Sequence, residues 1–287
     1  MRTNRTGIIG VVTGKITNPF YPELIEALSA SLTESGHYMV LWDGDCGGEQ
    51  AAVDAIRSGT VDGLLFTTAT EDSEALHEAL SRRLPIVLVN RSLPSAPCDQ
   101  ITSNNLAGSR HIAEYFLKYG HKDFGIIGSA MTISTGRERR QGFLERLAEE
   151  GIYVRPEWNL SVDFTHDAGR EAGLEILAGH ERPSAIFCVN DLLAFGLRDA
   201  AMRTRVSVPD DLWIAGYDDV AMSSWDAFDL TTVKQPIRQM ALAAVESFLS
   251  RLSDPDGPFE LRQFRDQLVT RGSTAHAAWE SEDLPSI

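Results

Sequence analysis

Residues 7–36 read GIIGVVTGKITNPFYPELIEALSASLTESG. They open with an apolar run, 7–13, and continue into a helix-like segment, 22–36, whose leucine and isoleucine side chains share one face. Pro22 suits the first turn of a helix and Gly36 suits its C-terminal cap. The stretch therefore predicts a buried strand followed by an amphipathic helix.

The same strand–helix alternation continues along the chain in two series, before and after Asn104. The predicted strands are 7–13, 38–42, 64–66, 86–89, 124–127, 160–162, 185–189, 212–216 and 268–271. The predicted helices are 22–36, 49–58, 73–82, 106–119, 137–150, 167–178, 192–202 and 236–252.

Strands that alternate with helices of this length form parallel sheets covered by helices on both faces. The strands are continuous apolar runs, as expected for strands buried on both sides. Two series predict an α/β protein with two doubly wound parallel-sheet lobes. A ligand is then expected where the carboxyl ends of the strands meet.

The composition limits the classes of partner. A net charge of −15 disfavours binding of nucleic acid or an anionic membrane by the chain's own surface. No apolar stretch is long enough to span a membrane, and residues 1–6, MRTNRT, lack the apolar region of a signal peptide. We therefore expect a cytoplasmic protein, although a mature secreted protein also lacks a signal peptide.

The three cysteines form no CxxC pair and predict neither a disulfide framework nor a zinc site.

Signatures of catalysis are missing from the sequence. The seven histidines form no HExxH, and no GxSxG nucleophile elbow occurs. Gly14-Lys15 superficially resembles a phosphate-binding loop, but Ile16 stands where that loop needs Ser or Thr. The sequence predicts no enzyme activity, no metal and no cofactor.

Nine loop segments at strand ends carry a more specific signal than the alternation does. They are TNPFY (17–21), NR (90–91), GH (120–121), RxRxxG (137–142), NDxxAxG (190–196), VPDDL (208–212), GYDD (216–219), LTTVKQP (230–236) and LVTRGS (268–273). In this order and spacing the chain resembles the effector-binding core of the LacI/GalR transcription regulators, from Gly7 to about Ser273.

The resemblance implies a periplasmic-binding-protein type I fold with three crossovers between its lobes. One lobe comprises 1–103 plus 235–262, and the other comprises 104–234 plus 263–287. It also implies a homodimer and a small effector bound between the lobes, whose closure is transmitted to DNA-binding heads. Such regulators begin with a helix-turn-helix domain, which is absent from this sequence, so operator DNA is expected only as the partner of a longer parent, most simply a repressor. The alternative within the same fold is a periplasmic sugar-binding protein of a transport system.

The resemblance also implies the residues that contact the effector. They are Asn18, Phe20, Thr67, Asn90, Arg137, Phe164, Asn190, Asp218 and Gln235. Among them, Arg137 offers a planar fork of donors, and Asp218 accepts bonds from hydroxyl groups.

For several positions a structural role is the alternative. Phe20 either forms an aromatic wall against the effector or packs at the start of a helix, and Arg137 is either a ligand contact or a surface arginine. Asp191 is expected to cap a helix, while Arg139 and Asp219 are expected to be structural. One arginine, one acid, neutral amides and two aromatic rings fit a neutral sugar better than a nucleobase or a phosphate, since the carboxylate of Asp218 would repel an anion.

Overall fold

The computed structural model describes residues 5–94 and 96–274, so the predicted tail at 281–287 lies outside the described residues. The chain forms two compact units. Unit 1 comprises Met1–Asn104, Thr132–Thr135 and Pro236–Phe264, and unit 2 comprises Asn105–Met131, Gly136–Gln235 and Arg265–Ile287.

Unit 1 contains a parallel sheet of six strands among the described residues, in the order β11-β5-β4-β3-β1-β2. The strands are β1 (Ile8–Thr13), β2 (Tyr38–Asp43), β3 (Leu64–Phe66), β4 (Ile86–Val89), β5 (Asp99–Ser103) and β11 (Leu261–Phe264). Its helices are α1 (Phe20–Glu34), α2 (Gly48–Arg57), α3 (Glu74–Ser81) and α8 (Ile237–Ser253). Because the strand order reverses between β1 and β3, the loops after these strands form the expected place for a ligand.

Unit 2 contains a parallel sheet of four described strands in the order β7-β6-β8-β9 and a separate antiparallel pair, β10-β12. The strands are β6 (Phe124–Gly128), β7 (Asn159–Ser161), β8 (Ala185–Cys188), β9 (Trp213–Ala215), β10 (Thr232–Lys234) and β12 (Gln267–Val269). The helices are α4 (Asn105–Lys118), α5 (Ser134–Glu149, which begins in unit 1), α6 (His166–Leu177) and α7 (Asp191–Thr204). The order reverses between β6 and β8, so the loops after these two strands are the equivalent place in unit 2.

The predicted α/β class with doubly wound parallel sheets is confirmed, and each predicted strand and helix is present within a few residues. Two details differ. The final strand, β12, runs antiparallel to β10 instead of joining a parallel sheet. Strands β5, β10 and β11 were not predicted, because their sequences, such as DQITS in β5, are not apolar runs.

Buried polar side chains in β5 are stabilised by specific partners. Asp99 forms an ion pair with Arg251 at 3.0 Å. Gln100 accepts a hydrogen bond from the amide of Leu93 at 2.8 Å and donates to its carbonyl at 2.9 Å. These bonds offset the cost of burying polar groups, so a strand forms here without apolar residues at every position.

Candidate functional site

The strand ends of unit 2 carry a buried polar cluster built around Asp218. Its Oδ1 atom accepts hydrogen bonds from Arg139 Nη1 at 2.9 Å and from Gln235 Nε2 at 2.7 Å. All three side chains are at most 4% exposed. A buried arginine–carboxylate pair with an added amide is a strong, charge-assisted arrangement.

Arg139 is held in place by several groups at once. Its Nε atom donates to Asn105 Oδ1 at 2.8 Å, and Nη1 also donates to the carbonyl of Val189 at 2.8 Å. The guanidinium lies over the ring of Tyr217, 3.7 Å from the ring centroid. The end of β8, helix α4 and the segment after β9 therefore fix this side chain together, and it presents a rigid donor at the strand ends.

The backbone at Asp218 has an uncommon conformation. Its φ angle is +121°, which few residues other than glycine adopt. The conformation is held by the amide of Asp218, which donates to the carbonyl of Val233 at 2.8 Å. Just before it, a Cβ atom at Gly216 would lie 2.2 Å from Asp191 Oδ1, so the close approach of this loop to α7 requires glycine.

Asn190 and Asp191 differ from their predicted roles in which of them caps the helix. Asn190 caps α7, because its Oδ1 accepts a hydrogen bond from the amide of Leu193 at 2.9 Å. The prediction that Asp191 is the cap is wrong. Its buried carboxylate instead accepts bonds from the amide of Val220 at 3.0 Å and the hydroxyl of Ser223 at 2.7 Å. Capping uses the Asn190 oxygen and leaves its amide nitrogen as the part that can reach a ligand.

The pKa of Asp191 is raised to about 8, first by burial and then by the negative charge of Asp218. Hydrogen bonds from Thr232 and Ser223 act in the opposite direction, because they favour the ionised carboxylate. Desolvation is the larger effect, so Asp191 carries a proton up to neutral pH.

Two further predicted contacts lie in unit 2. Phe164 is buried, and a Cβ atom at Gly136 would lie 3.3 Å from its ring. Arg137 lies within α5, and its Nη1 atom donates to the carbonyl of Met131 at 2.9 Å. Arg139, two residues further, is the arginine that joins Asp218. The sequence motif RxRxxG contained both, and it gave no sign of which side chain points to the strand ends.

Unit 1 brings four predicted side chains to the ends of its strands and the start of α1. Thr67 follows β3, and its hydroxyl donates to Thr13 Oγ1 at 3.0 Å. Asn18 Oδ1 accepts from the amide of Phe20 at 3.1 Å, at the start of α1. Asn90 follows β4 in a left-handed conformation, with φ of +70°. Each of these side chains is at most 5% exposed.

Arg91, which sequence reasoning did not select, is the most unusual residue of unit 1. It is 4% exposed, and its Nη2 atom donates to the hydroxyl of Tyr21 at 3.1 Å. Its Nε and Nη1 atoms, and the neighbouring Asn90 Oδ1 atom, are buried without a hydrogen-bond partner among the described residues. The segment Asn90-Arg91 is one of the nine quoted above, but the sequence does not show that this arginine lacks a partner.

The described residues contain no group of three or more His, Cys, Asp or Glu side chains placed to hold a metal ion. None of the described helices combines the length and the hydrophobicity of a membrane span. The polar groups at the strand ends include neutral amides, hydroxyls, arginines and carboxylates, of which Asp218 is ion-paired with Arg139 and Asp219 with Arg271. Such groups bind the hydroxyl groups of a small molecule by hydrogen bonds.

Comparisons with known proteins identify the family. Residues 113–274 match the family model described as a periplasmic binding protein-like domain. The chain is 31% identical over 277 residues to the HTH-type transcriptional repressor PurR of Photobacterium profundum, covering 95% of this chain and 83% of that protein. It is 26% identical over 263 residues to the probable HTH-type transcriptional repressor ExuR of Bacillus subtilis, covering 91% and 78% of the two chains.

A solved structure supports the same family assignment. The LacI family transcriptional regulator from Enterococcus faecium with bound ribose is 25% identical, with a TM-score of 0.82, and the match covers 93% of this chain and 98% of that one. These relatives favour a ligand-sensing regulator over a transport protein, and a regulatory role is not an enzymatic one. The chain belongs to the LacI family of transcription regulators, of which it comprises the effector-binding core.

Proposed function

We propose that this protein senses a sugar or a related polyol through the polar side chains at the strand ends of both units. The observation that carries the proposal is the buried cluster of Arg139, Asp218 and Gln235. It offers charged donors and a charged acceptor in fixed positions, which is the arrangement that recognises neighbouring hydroxyl groups. The bound ribose of the Enterococcus faecium relative supports a sugar as the ligand class.

In unit 1, Asn18, Phe20, Thr67 and Asn90 contribute amides, a hydroxyl and an aromatic face to the same effector. In unit 2, Asn190 and Phe164 add an amide and a second ring to the polar cluster. Aromatic rings provide broad, rigid contact surfaces for the apolar face of a sugar. Arg137 remains a predicted contact. Arg139 is the better-supported contact of the two, because it bonds to Asp218.

The regulatory output follows from linkage. An effector that binds one arrangement of the two units more tightly than another shifts the population toward the favoured arrangement. A preference of about 100-fold corresponds to about 2.7 kcal/mol. We propose that this shift is passed, in a cytoplasmic homodimer, to helix-turn-helix heads that bind operator DNA, in line with the HTH-type repressors that the chain resembles.

The test is a thermal-shift panel of sugars, sugar phosphates and nucleosides on the wild-type chain. A sugar at about 100 times its Kd should stabilise the protein by about 2.7 kcal/mol, which is visible as a higher Tm. Gln235→Leu keeps the Arg139–Asp218 pair and should abolish the shift. Asp167→Asn changes an acid with a 70% exposed side chain, and as a control it should keep the shift.

A sugar-induced shift that Gln235→Leu abolishes and Asp167→Asn retains would support the proposal. A panel in which only nucleosides raise the Tm would overturn the sugar class. A sugar-induced shift of equal size in all three proteins would move the binding site away from the Asp218 cluster.

A further inference from the structure

Three arginine side chains are buried in the described part of the chain, and one of them differs from the others. Arg139 pairs with Asp218 at 2.9 Å, and Arg251 pairs with Asp99 at 3.0 Å. Arg91 is as buried as they are, yet it forms no ion pair with a described carboxylate. An arginine keeps its positive charge in a protein, so Arg91 is a buried cation without a compensating anion.

The immediate surroundings of Arg91 do not supply that anion. Its one hydrogen bond goes to the neutral hydroxyl of Tyr21. The nearby amide oxygen of Asn90 also lacks a donor. Burying a charge without a partner is costly, and a ligand that supplies an anion would recover much of this cost. The unpaired charge of Arg91 therefore destabilises the ligand-free protein, as is common for charged groups in binding sites.

The contact with Tyr21 places Arg91 beside the first turn of α1, a helix of 15 residues. The N-terminus of a helix carries a partial positive charge, which favours negative groups nearby. The N-terminus of α1 and the guanidinium of Arg91 therefore both contribute positive charge. Both favour a negatively charged group at the strand ends of unit 1.

The expectation of a neutral effector depended on repulsion of an anion by Asp218. In the structure Asp218 is already paired with Arg139, so its negative charge is compensated within unit 2. Among the described residues of unit 1, no carboxylate pairs with Arg91, so its positive charge is left for a ligand to balance.

We propose that the effector is a sugar acid whose carboxylate is bound by Arg91, while its hydroxyl groups use the remaining polar side chains. The proposal rests on the function proposed above, and it names the chemical class of the ligand. One arginine carries a single positive charge, which a carboxylate balances and a phosphate dianion exceeds.

The experiment compares matched sugars by isothermal titration calorimetry. Each hexose is paired with the uronic acid that differs from it only at the oxidised terminal carbon, and with its terminal phosphate. The acid should bind at least about tenfold more tightly than the neutral sugar. This corresponds to about 1.4 kcal/mol, the size of one charge-assisted hydrogen bond.

Arg91→Met keeps an unbranched apolar stem in place of the arginine side chain but removes its charge. It should reduce the affinity for the acid to that for the neutral sugar, while leaving the neutral sugar's own affinity within a few-fold of the wild type. Arg110→Met, which changes an arginine paired with Glu149 on the surface, is the matched control and should keep the preference.

The outcomes separate the two proposals. A neutral sugar that binds more tightly than its acid overturns the sugar-acid inference and leaves the sugar-sensing function intact. Tighter binding of the phosphate than of the acid overturns the choice of a carboxylate. A preference for the acid that survives in Arg91→Met overturns the role of Arg91. No heat of binding from any sugar, acid or phosphate overturns the sugar-sensing function as well.

Discussion

Arg139 in unit 2 and Arg91 in unit 1 each lie at the strand ends of their sheet, and each is at most 4% exposed. Arg139 donates hydrogen bonds to Asp218, to the carbonyl of Val189 and to the side-chain oxygen of Asn105. Arg91 has the hydroxyl of Tyr21 and two nitrogens without partners. The positive charge of Arg139 is thus balanced by the protein, whereas the positive charge of Arg91 is not.

The difference indicates that one arginine serves the stability of the fold and the other serves ligand binding. In unit 2 the arginine is part of a network that stabilises the fold in the absence of ligand. In unit 1 the arginine lowers stability until a ligand pairs with it. Functional sites commonly retain such unfavourable groups, and substitutions that remove them often stabilise the protein while they impair binding.

The largest expected effect comes from replacing each arginine by methionine and measuring urea-induced unfolding without ligand. Arg139→Met should lower the free energy of unfolding by about 3–5 kcal/mol, because it leaves Asp218 as an unpaired buried charge. Arg91→Met should leave the free energy unchanged or raise it by about 1 kcal/mol, because it removes donors that have no acceptor. The two variants change the same atoms, so each is the control for the other.

Equal destabilisation by the two substitutions would contradict the comparison, since it would mean that Arg91 also has a compensating partner in the folded protein. A substantial gain in stability from Arg139→Met would contradict the importance of its pair with Asp218.

A smaller effect concerns the pH dependence of stability in unit 2. The pKa of Asp191 is raised from 3.8 to about 8, first by desolvation and then by Asp218. In the range between these values the folded state holds a proton that the unfolded state has lost. The contribution of Asp191 to stability is therefore present at low pH and is lost as the pH rises toward about 8, by at most about 1.4 kcal/mol per pH unit.

Asp191→Asn removes this titration, so its free energy of unfolding should depend less on pH than that of the wild type between about pH 5 and pH 8. The measurement is urea unfolding at a series of pH values. Glu145→Gln changes an exposed acid of α5 that hydrogen-bonds to Gln141, and as a control it should keep the wild-type slope. Identical slopes for wild type and Asp191→Asn would show that the carboxylate is ionised throughout.

Much of the fold could be predicted from the sequence, because buried parallel strands are continuous apolar runs. Leu64–Phe66 and Ile86–Val89 lie where their sequences place them. The strand Asp99–Ser103 could not be predicted in this way, because its burial depends on Arg251 and Leu93, which pair with its polar side chains. Partners far apart in sequence cannot be inferred from local periodicity.

The candidate site was predictable in part. Asp218 and Gln235 were selected as contacts, and the structure brings them within 2.7 Å of each other. Arg139 is predicted to be structural, and it pairs with Asp218; the motif does not show which of its two arginines does so, because that depends on the rotation of α5. Arg91 was missed because a missing carboxylate is a property of the folded surroundings. The sequence shows the arginine but not its lack of a partner.

The central claim is that side chains at the strand ends of each unit bind the effector. The most direct measurement is calorimetric titration of the best-binding sugar into wild type, Asn90→Ala in unit 1 and Gln235→Ala in unit 2. We predict one ligand per chain and a Kd that rises by about tenfold or more in each variant, the loss of a hydrogen bond to a buried polar group. Wild-type affinity in either variant would contradict the claim, because it would confine the site to the other unit.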